Sequence, residues 1–303
     1  MTAAIASVRT PDDQFEGLSG YDFEPHYIDP LPGGTGLRMH YLDEGPKDAE
    51  HTFLCLHGEP TWSYLYRKMI PVFVESGARV VAPDFFGFGR SDKPTEDDTY
   101  TFDFHLDSLA AFIEHLGLKN VTLVCQDWGG LLGLTLPIRV PGLVSRLVIM
   151  NTALGVALGP VTKGFAEWRD YVKNTPDFDV AKLMRRSVPG ITDAEAAAYE
   201  APFVDASYKA GVRTFPAIVP VTPEMGGVEI SRKAASFWST QWDGPTFMAV
   251  GEQDPVLGPK VMKMVRGMIR GCPDPLMLPH AGHFVQECGD EVARAALAAF
   301  AAS

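Results

Sequence analysis

The sequence predicts an α/β fold: a mostly parallel sheet with helices on both faces and a helical insertion. Three observations carry that prediction. Short apolar runs rich in β-branched residues recur without polar alternation, as strands buried on both faces require. Segments of helical periodicity separate them, as crossover connections in a parallel sheet demand. The alternation stops after Asn151 and resumes only near Thr246, a gap too long for one crossover.

In chain order, strands are expected at Leu37 to Leu42, Thr52 to His57, Arg79 to Ala82, Val121 to Cys125, Leu147 to Asn151, Thr246 to Gly251 and Leu276 to Leu278. Helices are expected at Trp62 to Val74, Phe104 to Leu116, Leu131 to Val140, Lys260 to Ile269 and Asp290 to Phe300. The gap contains helix formers such as Glu195 to Tyr199, while Pro176, Pro189, Pro202, Pro216, Pro220 and Pro223 restrict it to short helices and turns. The expected organisation is a core over 1–151, an inserted helical cap over 152–240 and the remainder of the core over 241–303.

Composition narrows the function. An apolar share of 46% and a charged share of 21% are those of an ordinary globular chain. A formal charge of -12 repels a phosphate backbone, and no basic track interleaved with aromatics compensates, so nucleic acid is not an expected partner. Cys55, Cys125, Cys272 and Cys288 are widely spaced, with neither a C-x-x-C pair nor zinc-ligand spacing, and read as reduced thiols. Residues 1–11 lack the pattern of a secretory leader, and no apolar run reaches the roughly 18 residues of a membrane span. A cytoplasmic monomer acting on a small molecule, without metal or cofactor, is expected.

Val121 to Cys125, followed by Gln126-Asp127-Trp128-Gly129-Gly130, reads as a buried strand entering a sharp turn and then a helix. That spacing fits a nucleophile elbow, with Cys125 at the position usually held by its first glycine. Aspartate favours helix N-termini and could serve as a plain cap. As a nucleophile, it needs no base to remove a proton and can attack an sp³ carbon bearing a leaving group, making an ester that water then cleaves. Such an ester needs a base, and His283 in Ala281-Gly-His-Phe284 follows the last strand; His280 is its nearest competitor. The imidazolium formed needs an orienting carboxylate. Asp254, in Gly251-Glu-Gln-Asp254, is placed for that role, with Glu252 as the alternative. His57-Gly58-Glu59-Pro60 follows a strand expected beside the nucleophile strand, so the backbone amides of Glu59 and Trp128 are the candidate oxyanion-hole donors.

From about residue 20 to the C-terminus, the chain resembles the haloalkane dehalogenases of the α/β-hydrolase fold. The resemblance rests on His57-Gly-Glu-Pro60, Asp84-Phe-Phe-Gly-Phe-Gly-Arg-Ser-Asp92, Gln126-Asp-Trp-Gly-Gly130 and Ala281-Gly-His-Phe284. It implies that two side-chain N–H donors hold the leaving halide, and that Trp128 is the first. Some branches use an asparagine after the His-Gly pair as the second donor; here Glu59 stands there, and an ionised carboxylate would repel halide. The resemblance therefore points to a cap tryptophan, Trp168 in Gly164-Phe-Ala-Glu-Trp168, with Trp238 and Trp242 as alternatives and Phe165 as a pocket aromatic. The stretch from Asn151 to Trp168 is short relative to the best-known members of that branch.

Two other readings compete. An epoxide hydrolase would use the same Asp, His and Asp with cap tyrosines, for which Tyr171, Tyr199 and Tyr208 are available, although Trp128 argues against it. A non-catalytic small-molecule receptor would have no need of Asp127, Asp254 and His283 together.

Overall fold

The computed structural model describes residues 5–33 and 35–302; residues 1–4, part of the stretch read for a leader, lie outside the described residues. Eight strands form one sheet: β1 (His26–Ile28), β2 (Met39–Glu44), β3 (Thr52–Leu56), β4 (Arg79–Pro83), β5 (Val121–Cys125), β6 (Val144–Met150), β7 (Thr246–Gly251) and β8 (Leu276–Leu278). Their order across the sheet is β8-β7-β6-β5-β3-β4-β2-β1. From β8 to β4 every pairing is parallel; β2 and β1 are added antiparallel at one edge. The central strand β5 is buried at every position, which explains why its sequence shows no alternation.

The core helices are α1 (Ile70–Glu75), α2 (Phe102–His115), α3 (Asp127–Gly133), α4 (Leu136–Arg139), α10 (Pro259–Gly267) and α11 (Gly289–Ala301). Two expected helices are broken. Trp62 to Val74 divides into a 3-10 turn, Ser63–Tyr66, and α1, while Leu131 to Val140 divides between α3 and α4. Pro71 and Pro137 sit in the first turn of the second piece in each case, where a missing N–H costs nothing but the preceding helix cannot continue. The edge strand β1 was not expected: three residues, two half-buried and one buried, are too few to show a period.

Between β6 and β7 lie α5 (Lys163–Asn174), α6 (Val180–Ser187), α7 (Asp193–Glu200), α8 (Ala210–Ile218) and α9 (Val228–Thr240). Side chains at the start of α5, α6 and α7 (Thr162, Asp179 and Thr192) accept backbone N–H groups, and Thr192 with Glu195 forms a reciprocal capping box. Pro176, Pro189 and Pro202 follow the ends of α5, α6 and α7, as expected; Pro216 instead lies inside α8. A buried guanidinium joins these helices to the segments that flank them: Arg67, before α1, donates to Glu287, before α11, at 2.8 Å and to Glu195 of α7 at 2.8 Å, and the Tyr199 hydroxyl also bonds Glu287.

Candidate active site

Asp127 leaves β5 with φ of 50°, a left-handed conformation that lifts its side chain off the sheet before α3 begins. The turn is crowded. A Cβ on Gly58 would run into the Asp127 carboxylate, and one on Gly129 would run into the backbone carbonyl of Leu56, so both neighbours must be glycine. Cys125, at the first small position, is fully buried at the end of β5. Thr152 donates from its hydroxyl to the Asp127 carbonyl at 2.7 Å and braces the turn from the end of β6.

The carboxylate meets two backbone donors. The Glu59 amide donates to Asp127 Oδ1 at 2.9 Å, and the Trp128 amide also bonds the carboxylate. These are the two amides expected from the sequence. Burial pushes the Asp127 carboxyl upward, while the charge of His283 and the two amides oppose the shift. The loop that carries Glu59 is held from beneath: His57 bonds the carbonyl of Gly58 through Nδ1 at 3.0 Å and accepts the Phe85 amide at Nε2 at 2.9 Å. Buried Asp84, at the head of the Asp84–Asp92 motif, bonds His40 at 2.7 Å and accepts the amides of Ser63 and Arg90.

His283 faces Asp127, with Nε2 3.6 Å from Oδ2. Its Nδ1 lies 2.9 Å from Asp254 Oδ2, in the loop after β7. Burial opposes charge on the imidazole, but the bond to Asp254 and the charges of Asp254 and Asp127 outweigh it, raising its pKa to about 9. Asp254 moves the other way: burial would raise it, yet His283, Asn151 and the Val256 amide draw it down to about 2. His280 is exposed and lies near Glu291, and Glu252 is exposed, so neither competitor reaches the site.

The five tryptophans divide by what their indole N–H groups meet. Trp62 donates to the Ala198 carbonyl at 3.2 Å, Trp238 to the Leu134 carbonyl at 2.7 Å and Trp242 to the Thr246 hydroxyl at 2.8 Å. Trp128 and Trp168 line the cavity above Asp127 instead. The indole of Trp168, on α5, bonds the Glu59 carboxyl. That carboxyl departs from the sequence expectation. Burial and then the nearby Asp127 charge push it well above the usual carboxylate range, so the neutral acid is favoured rather than the ionised group that would repel halide. Its Oε1 is buried without a partner.

The cavity has a volume of about 580 Å³, is lined mainly by apolar side chains and is reached by Asp127, His283 and Phe165. Residues 153–162 form one wall, all apolar or glycine apart from Thr162, and the exposed Leu158 stands at its rim. Of the three tyrosines between β6 and β7 weighed above, Tyr171 lines the cavity; Tyr199 is buried against Arg67 and Glu287, and Tyr208 lies outside the lining. Among the described residues, no group of three or more His, Cys, Asp or Glu side chains is placed to hold a metal ion.

Two polar residues escaped sequence reasoning. Asn151 donates to Asp254 Oδ2 at 2.9 Å and exchanges two bonds with the backbone of Gly251, tying the end of β6 to that of β7. Gln126, fully buried, donates to His283. A polar residue at the last step of an apolar strand was the available signal for each.

The sheet order, the strained turn after β5 and the Asp-His-Asp alignment define a hydrolase of the α/β-hydrolase class, and residues 51–290 match the α/β-hydrolase fold family. The chain is 40% identical over 284 residues to a haloalkane dehalogenase of Mycolicibacterium paratuberculosis, covering 92% of this chain and 93% of the relative. It is 41% identical to one of Psychrobacter cryohalolentis, covering 95% of both chains. The solved haloalkane dehalogenase DpaA of Paraglaciecola agarilytica superposes with a TM-score of 0.94 at 49% identity, covering 97% of this chain and 98% of that one. The chain belongs to the haloalkane dehalogenases. DpaA is described as tetrameric, so the expectation of a monomer does not fit this relative. No helix among the described residues is long and apolar enough to cross a membrane.

Proposed function

We propose that this hydrolase of carbon–halide bonds works through a covalent alkyl ester on Asp127. The observation that carries the reading is the placement of the Asp127 carboxylate between two amides and His283, beneath a mainly apolar cavity lined by Trp128 and Trp168. In the first step, Oδ2 attacks the sp³ carbon as the carbon–halogen bond breaks and the electron pair leaves with halide. The indole N–H groups of Trp128 and Trp168 receive the developing charge where water is scarce. Trp168 has to release the Glu59 carboxyl to do so, and the neutral acid holds that N–H less tightly than a carboxylate would.

In the second step, His283 takes a proton from water, whose oxygen attacks the ester carbon. The negative charge that appears on Oδ1 falls under the Glu59 and Trp128 amides. Alcohol departs, Asp127 returns and a proton is released, so water is the only co-reactant. Ester formation also prepares its own base. Asp127 loses the charge that helps to raise His283, so the imidazole becomes easier to keep neutral once the ester exists.

We further propose residues 1–151 and 241–303 as the core and 152–240 as the cap, with Trp168 and Phe165 as the cap's contribution to the site. The four free cysteines favour a reducing compartment, hence the cytoplasm. The epoxide hydrolase reading loses support because, of its three tyrosines, Tyr171 alone faces the cavity. Mixing the protein with 1,2-dibromoethane should release bromide and acidify the solution stoichiometrically. A folded sample that released none from any short haloalkane would defeat the proposal.

A further inference from the structure

Gln126 precedes the nucleophile but points to the base. Its side chain is fully buried, and its Nε2 lies 3.0 Å from the backbone carbonyl of His283 and 3.0 Å from the ring Nε2 of the same residue. An amide NH2 has two hydrogens: one goes to the His283 carbonyl, and the other reaches the ring Nε2 when the imidazole is neutral with its proton on Nδ1. The orientation is fixed by the first contact. Turned over, the amide would bring Oε1 against the His283 carbonyl, acceptor against acceptor. Oε1 itself has no partner, so the NH2 end alone anchors the side chain.

We propose that Gln126 is a positioning residue for the hydrolytic step, donating an N–H to the proton-free Nε2 of the neutral His283 ring and holding the ring until water displaces that contact. The inference rests on the two-step reading above. The charged groups that face the imidazole are Asp254, from the loop after β7, and Asp127, from the elbow; Glu59, from the loop after β3, is the nearby carboxyl that favours its neutral form. Both carboxylates favour the imidazolium and have raised His283 to about 9. An N–H donor at Nε2 acts the opposite way, because it bonds the neutral ring and meets a second donor when the ring is protonated. Gln126 therefore offsets part of the pull of the carboxylates. Its other N–H, on the His283 carbonyl, fixes the Gln126 amide against the His283 backbone, so that its first N–H stays directed at the ring.

The test follows ester breakdown on Asp127 in single turnovers of the full-length protein with 1,2-dibromoethane across a pH series. Gln126→Met fills the space without a donor and should move the midpoint of the hydrolysis limb upward by about half a unit to one unit, the size of one hydrogen bond. The rate of ester formation should stay within about twofold, since Gln126 does not touch Asp127's nucleophilic oxygen or the halide donors. Gln126→Glu keeps the shape. Whether ionised or protonated, its carboxyl presents an acceptor to Nε2 once its own proton, if any, goes to the His283 carbonyl, so it should shift the midpoint upward at least as far. A packing role alone would slow both steps and leave the midpoint in place. An unmoved midpoint in both variants overturns the proposal, whatever happens to the rate. Absence of any ester on Asp127 in the unsubstituted protein and in His283→Gln would instead overturn the reading on which it rests.

Discussion

Asp127, Glu59 and Trp168 are three residues whose roles depend on each other's charge. Burial pushes both carboxyls upward; at Asp127 the charge of His283 and two amides oppose the shift, whereas at Glu59 the Asp127 charge adds to it and the Trp168 indole opposes it. The sequence singled out both residues but not the shifts of their carboxyls, since a pKa is set by surroundings that a string of residue types does not contain. The tryptophans were legible in the same partial way. Trp168 could be singled out by resemblance, whereas the physical reason against Trp238 and Trp242 emerges only when both are seen outside the cavity lining, with their N–H groups bonded to Leu134 and Thr246. Trp168→Phe should therefore weaken bromide binding by roughly tenfold or more, the worth of one hydrogen bond to an anion. Trp238→Phe should leave it unchanged if the fold survives. Fluorescence quenching by bromide checks both, and equal affinity in Trp168→Phe and the unsubstituted protein would move the second donor elsewhere.

The strands were the most readable elements, because β3, β5 and β7 are apolar runs of strand length, and burial on both faces leaves nothing else for them to be. Helices were less so where a proline intervened, as at α1 and α4. The attachment of the cap was not readable at all. Arg67 lies in the core before α1, Glu195 and Tyr199 on α7, and Glu287 after His283, four residues brought together only by folding. Arg67 is almost fully buried, and its charge is balanced by Glu287 and Glu195. Arg67→Met should destabilise the protein by about 3 to 5 kcal/mol, because it leaves the Glu287 carboxylate buried without its main partner. Urea unfolding measures this, and a loss below about 1 kcal/mol would mean that water or Lys68 replaces the guanidinium.

For the whole molecule, the site also makes stability depend on pH. His283 is raised from 6.5 to about 9, so its contribution is complete below pH 6.5 and is lost as pH rises through about 9. Asp254 is lowered from 3.8 to about 2, so its contribution is present above pH 3.8 and is lost as pH falls through about 2. Thermal melts of the protein and of His283→Gln should thus converge between pH 6.5 and pH 9; a difference constant across that range would contradict the pairing of His283 with Asp254. The mostly parallel core followed from the spacing of apolar runs, whereas the order of the strands across the sheet was not in that spacing. Nor was the cavity, because the length of the wall at 153–162 is visible in sequence while its path over Asp127 is not.

The most direct test of the covalent route is mass spectrometry of His283→Gln after mixing with 1,2-dibromoethane. The substitution removes the base for the second step and leaves the first intact. The peptide carrying Asp127 should gain the mass of one bromoethyl group and retain it, with one bromide released per protein molecule. Continued turnover at the normal rate with no added mass on that peptide would contradict both the ester on Asp127 and the role of His283 in its hydrolysis.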